Sequence, residues 1–190
     1  MGRKLGLTHE DVIDAAAAIA DSEGLPAASL SAVADRLGIQ TPSLYNHVAG
    51  LKGLRRDLAF RAAARSDEAL AEAIEGLQGA EALRAAAHAY RAFARNHPGL
   101  YASMLPAPRP GEDDELYELL AGTVARLASA VVEAGVAPED TIDTSRGLRA
   151  MLHGFADLEA RGGFGLPVDI DASFDRAVDL FVDGLATTAG

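Results

Sequence analysis

The feature that most restricts the fold is a repeat of apolar residues every three to four positions, carried through most of the 190-residue chain. That spacing belongs to amphipathic helices. No stretch shows the period-two alternation of β-branched residues that marks a strand. The apolar content is mostly Ala and Leu, with few aromatics, and these residue types favour helix. The expected fold class is all-α, with about nine helices.

Glycine, proline and capping residues punctuate the pattern. Thr8, with Asp11 three residues on, forms a capping box ahead of Val12, Ile13, Ala16, Ile19 and Ala20, and Gly24 ends that helix. Ser29 caps a short second helix with Leu30, Val33, Ala34 and Leu37 in a stripe, and Gly38 ends it. The stretch GIQTPSLYNHV (38–48) holds a proline in mid-course. Thr41 is expected as the N-cap of a third helix and Pro42 as its first residue, where a missing N–H costs nothing. Leu44 and Val48 then point inward. A fourth helix follows Gly50, with Leu51, Leu54, Leu58 and Ala62 inward.

Beyond 76–79 helices are expected over about 81–96, in a short turn after His97-Pro98-Gly99, up to about 134, over about 138–161 and over about 173–186. PAPRPGEDD (106–114) and GGFGLPVDIDAS (162–173) read as loops.

Charge is uneven along the chain. Residues 1–65 carry eight Lys/Arg against seven Asp/Glu, whereas the remainder carries nine against twenty-one. Such asymmetry suits an N-terminal part that faces nucleic acid and an acidic body that repels non-specific contact.

Other chemistries find no support. There is no cysteine, so disulfides and thiolate metal sites are excluded. No apolar run approaches the roughly 18–20 residues of a membrane span. MGRKLGLTHEDVID turns acidic at once, unlike a signal peptide. A soluble, cytoplasmic protein is expected. The histidines at 9, 47, 88, 97 and 153 form no metal-binding pair, and GEDDE (111–115) lacks the spaced oxygens of a calcium loop. GGFGLP lacks the Lys-Ser/Thr of a phosphate loop, and no serine sits in a nucleophile elbow. Neither catalytic residues nor a metal nor a cofactor is expected, and the chain does not read as an enzyme.

The second and third helices, joined by the tight turn at Gly38, form a helix-turn-helix. Its outer set of Thr41, Ser43, Tyr45, Asn46 and His47 is polar and aromatic, suited to base edges and phosphates in a major groove. The competing reading is a helical-bundle carrier or enzyme whose N-terminal helices are only structural.

LSAVADRLGIQTPSLYNHVAGLKGL (30–54) resembles the DNA-binding domain of the tetracycline-repressor (TetR) family, with Ala-Asp-Arg-Leu-Gly, Pro-Ser-Leu-Tyr and His-Val in matching order and spacing. HPGLYASML, RAMLHGFADLEARGGFGLP and the last amphipathic helix are similar to the C-terminal domain of one branch, which carries an HGF-type motif before a GGFGLP loop. The resemblance implies a helix-turn-helix domain over 1–54 and a ligand-binding and dimerisation domain over 55–190, with 51–75 as a connecting helix. It implies base contacts from Gln40, Thr41, Ser43 and Asn46, and phosphate contacts from Tyr45, His47 and the start of the fourth helix. Family members commonly have Lys where Leu51 stands, so Lys52 would have to reach round; Ser31 replaces a frequent Arg. The implied function is a ligand-responsive repressor, a homodimer on a palindromic double-stranded operator, released by a small and mostly apolar effector.

For the dimer surface, Gly147, Ala150 and Gly154 offer close approach, and Phe174, Val178, Phe181 and Leu185 form a stripe too apolar to leave in water. For the effector, Tyr90, Phe93, Met104, Tyr117, Met151 and Phe155 are candidate lining residues, with His97, Tyr101 and His153 as polar handles. The contact between the fourth helix and the segment 96–106 is the expected pivot.

Overall fold

Capping chemistry sets the helix boundaries. The computed structural model describes residues 6–188, with side chains described as far as Leu185. Among them lie nine α-helices and no strand. They are α1 (His9–Glu23), α2 (Leu30–Leu37), α3 (Thr41–Leu44), α4 (Gly50–Ala73), α5 (Gly79–Asn96), α6 (Pro98–Met104), α7 (Asp114–Glu133), α8 (Thr141–Ala160) and α9 (Ile170–Thr188). Short 3-10 turns at Leu25–Ala27 and Pro138–Asp140 precede α2 and α8.

The capping box of α1 is complete. Thr8 Oγ1 accepts from the Asp11 N–H at 3.1 Å, and the Asp11 carboxylate accepts from the Thr8 N–H at 2.8 Å. The Thr8 hydroxyl, with the Thr8 N–H, holds the Asp11 carboxyl below the ordinary aspartate range. The folded value being the lower one, this contribution is complete above the unfolded value near about 4. It is lost as pH falls through the folded value. Ser29 caps α2 through the Ala32 N–H, and Gly38 closes it in the left-handed region at φ 66°.

Three expectations are corrected. Thr41 is the first residue of α3 and not its cap; Gln40 holds the extended cap conformation and makes no side-chain cap bond. The turn from α2 closes through the Ile39 N–H on the Ala34 carbonyl, so the chain is ready to coil one residue early. Pro42 therefore stands second, which is still among the first four positions that need no intrahelical N–H bond. Leu51 is 45% exposed. A helical side chain lies over the turn preceding its own Cα, and in the first turn of α4 there is none to cover. Helix α9 starts at Ile170, three residues before Ser173, because the Asp169 carboxylate accepts from the N–H groups of Asp171 and Ala172.

The described chain forms two compact units. The first takes the chain as far as Ala64 together with Asn96–Pro108; the second takes Arg65–Arg95 and everything from Arg109. The division runs through α4 at 64/65, whereas the expected domain boundary lies at 54/55. Segment 96–108 returns to the first unit, and its main partner there is α1, not α4 as the expected pivot had it.

Within the first unit Val12, Ile13, Ala16, Val33, Leu44, Leu54, Leu58 and Leu100 are buried. Arg61 of α4 pairs with both Glu10 and Asp14, one turn apart on α1. His9 Nε2 meets Asp57 at 2.9 Å. Helix α6 is seated on α1 by two devices. The Asp21 carboxylate accepts from the N–H groups of Gly99 and Leu100 at 2.8 and 2.9 Å, capping α6 from another helix. Gly99 lies against Ala20 so closely that a Cβ would overlap its carbonyl group.

The second unit packs α5, α7, α8 and α9 around Leu83, Ala87, Val131, Leu148, Leu152, Phe174 and Val178. Arg91 of α5 is nearly enclosed. It meets Glu159 in a two-point fork at 2.8 Å and Asp171 at 2.7 Å, and its guanidinium lies over the Phe174 ring at 4.6 Å. These bonds raise the Arg91 pKa further, the Glu159 bond foremost. One buried cation thus ties the end of α8 to the start of α9 across the 161–169 loop, whose Phe164 ring lies 4.7 Å from Phe155.

Gly99→Ala is expected to destabilise the protein by about 3 kcal/mol or more, since the overlap is with backbone that cannot give way. A urea unfolding midpoint within a few tenths molar of the parent would refute the close seating of α6.

Candidate nucleic-acid interface

Helix α3 is only four residues long, yet its geometry continues as tight turns. The Tyr45 N–H bonds the Pro42 carbonyl, while the His47 and Val48 N–H groups bond the Leu44 carbonyl. This keeps Leu44 and Val48 on one face, and both are buried. The other side consequently faces outward: Gln40, Ser43, Tyr45 and Asn46 are exposed, Thr41 and His47 half-buried. Tyr45 is 62% exposed, a large fraction for so big a ring. The ring sits beside Gly50, where a Cβ would lie 3.8 Å from Tyr45 Cε1, so it reaches from the end of α3 towards the start of α4.

All seven residues expected to touch DNA thus lie on the first unit, six of them in one run of eight. Lys52 is exposed on the first turn of α4, next to the exposed Leu51. Arg36, in the last turn of α2, and Arg56 are exposed as well. Arg61 is not part of this surface, because α1 carboxylates hold it, and Arg55 is half-buried with its Nε enclosed. The basic run at 52–65 is therefore partly structural.

The residues expected at an effector site divide between the units. His97, Tyr101 and Met104 belong to the first, where His97 Nδ1 lies 3.2 Å from Asp21 and Tyr101 is buried. Tyr90, Phe93, Tyr117, Met151 and Phe155 belong to the second. There Phe93 is buried, while Tyr90, Met151 and Phe155 pack against the core. An open depression of about 400 Å³ exists in the second unit, and none of these eight residues lines it.

The expected dimer stripe needs correction. Phe174, Val178 and Leu185 are at most 9% exposed, covered by their own chain, and Phe181 packs on the same core. The apolar side of α9 found its partner inside the protomer. Gly147 and Ala150 are exposed and Gly154 is half-buried.

Asp21 is a positioning residue that sequence reasoning missed. An acidic side chain in the last turn of α1 opposes the helix dipole, and that oddity was readable.

Comparison with known proteins agrees with this arrangement. Residues 83–181 match the family model described as "Tetracyclin repressor-like, C-terminal domain". The chain is 36% identical to the HTH-type transcriptional regulator YobS of Bacillus subtilis (strain 168), over 97% of this chain and 96% of that one. The chain belongs to the TetR family. A second relative, the HTH-type transcriptional regulator Rv0681 of Mycobacterium tuberculosis, is 31% identical over 94% of this chain and 81% of its own. These relatives are transcriptional regulators, not enzymes. The fold is also that of a TetR single-site variant from Acinetobacter baumannii AYE, solved in complex with minocycline, at a TM-score of 0.69 and 21% identity over 97% of this chain and 99% of that one. The TetR-family assignment covers both halves, and with it the carrier or enzyme reading falls. No helix among the described residues is long and apolar enough to cross a membrane.

Leu44→Ala should cost about 2–5 kcal/mol, because the side chain is fully buried between α3 and its supports. Denaturant titration measures this; a loss under about 1 kcal/mol would show that α3 is not anchored there.

Proposed function

We propose that this TetR-family regulator is a cytoplasmic, ligand-responsive repressor that binds a palindromic operator as a homodimer and leaves it when a small effector binds. The observation that carries the reading is the outer face of α3, where Ser43, Tyr45 and Asn46 stand exposed over a buried Leu44 and Val48. In this reading Gln40, Thr41, Ser43 and Asn46 meet base edges. Tyr45, His47 and Lys52 meet phosphates. One short helix reads only a few base pairs, so two copies are needed, their reading helices about 34–36 Å apart. With Phe174, Val178 and Leu185 already covered, the copy-to-copy surface moves to the outer faces of α8 and α9. Gly147 and Ala150 allow close approach there, and Leu180 is 60% exposed.

The hypothesised switch is a shift of population between two spacings of the reading helices. The chain passes between the two units at 64/65, 95/96 and 108/109. A ligand that favours one arrangement of the second unit therefore has three covalent routes to the first. A differential affinity of a few kcal/mol would suffice.

Gel shifts against the gene's own upstream DNA test the core claim; a missing salt-sensitive, sequence-specific complex would overturn it. Tyr45→Ala is expected to weaken binding to all operators alike, whereas Thr41→Ala and Ser43→Ala change sequence preference. Leu51→Lys should tighten binding and steepen the log–log salt dependence by about one unit. Light scattering at micromolar concentration should report a dimer, with Leu180→Glu raising the monomer fraction. A monomeric parent protein would refute the dimer.

A further inference from the structure

The open depression of about 400 Å³ lies between α7 and the end of α4 with the start of α5. Its volume is within the usual range for small-molecule sites, about 300–1,000 Å³. Ile74, Leu77, Ala82 and Ala130 supply its apolar lining, and Leu77 is 38% exposed. Along α7 the lining runs from Gly122 to Glu133, a span of roughly 16 Å at about 1.5 Å per residue.

Two features indicate a ligand and not a packing defect. The first is Gly122, in the middle of α7. A mid-helix glycine costs about 0.5–1 kcal/mol relative to alanine. No packing among the described residues requires it, since a Cβ at this position would meet nothing within 4 Å. Gly122 is itself part of the lining of the depression.

The second is the charge balance of the walls. Glu133 is engaged: its carboxylate accepts from the Gly79 N–H at 3.2 Å and from the Ser129 hydroxyl at 3.2 Å. Arg126 is far less committed. It is 41% exposed, and its one partner among the described residues is Asp67 at 3.3 Å, whose other oxygen accepts from the Thr123 hydroxyl. A guanidinium has five N–H donors, so Arg126 retains most of its capacity. Planar two-point bonding to a carboxylate is what that group does best.

We propose that this cleft binds an amphipathic carboxylate, with its head group on Arg126 beside Gly122 and its alkyl chain along Ala130, Ile74, Leu77 and Ala82. From Arg126 to Glu133 the lining covers seven residues, roughly 10 Å at about 1.5 Å per residue, which suits about eight carbons at roughly 1.3 Å of extension per carbon for C–C bonds of about 1.5 Å. The site is separate from the nine residues named from sequence. It rests on the regulator reading only for its consequence, since it would make such a carboxylate the effector.

The test uses the full-length protein and calorimetric titration with decanoate, octanoate and decanol. Decanoate should bind saturably and at least tenfold more tightly than decanol. Arg126→Gln should abolish that preference while leaving decanol binding in place. Gly122→Leu should weaken both at least tenfold without lowering the unfolding midpoint, because leucine is the better helix former and has open space to enter. Absence of saturable decanoate binding would overturn the site, as would binding that both variants leave intact. A gel shift with and without decanoate separates the two readings. Tight binding with no effect on a specific operator complex would keep the site and remove its role as effector site; failure to form any operator complex would remove the regulator reading alone.

Discussion

The first unit depends on the contact between Gly99 and Ala20. Two helix backbones meet there at a distance that only a missing side chain permits, and the Asp21 carboxylate closes the arrangement by capping α6. Segment 96–108 is thereby attached to α1, the helix that also packs on α2 and holds α4 through Arg61 and His9. The outer face of α3 is the last link of this chain of supports. Helix α3 has only four residues and cannot hold itself. Leu44 and Val48 hold it by burial, and that burial turns the polar side of the same turn outward.

The second unit rests on a different device. Its core is aliphatic and broad, but the long connection from α8 to α9 is fixed by one cation. Arg91 satisfies Glu159 and Asp171 together and lies over Phe174, so the charge is both paired and enclosed by rings. Losing one partner of such a group leaves a buried charge uncompensated, which costs more than the pair itself contributes. Arg84, on the same helix, meets Asp179 and Asp183 of α9 nearer the surface. There, water screens the attraction and its contribution is small.

Local signals in the sequence proved sound where the physics is local. Thr8 with Asp11, Ser29 with Gly38, and the loop at 106–113 all act within a few residues of themselves. The signals failed by up to one turn where a neighbour decided the outcome. The bond from Ile39 to Ala34 moved the start of α3, and Asp169 moved the start of α9. The stripe on α9 was correctly seen as apolar, but periodicity reports that a face is buried and not by which molecule. Of the candidate interface, the run 40–47 was legible because proline, inward leucine and outward polar residues share one short turn. The cleft beside Arg126 was not, because it joins residues from separate parts of the chain that no spacing rule connects.

By itself the sequence determined an all-helical chain, the place of the short helix α3, and the division between a near-neutral first third and an acidic remainder. Each follows from neighbours along the chain: spacing, capping and counted charge. Only the tertiary structure decided which charges are free and which apolar faces are covered. Arg61 and Arg91 are held by carboxylates from distant helices, Arg126 is largely uncommitted, and Phe174 and Val178 are buried by their own chain. Those outcomes depend on which helix lies beside which, and side-chain pairing across such distances is set by packing and not by local pattern.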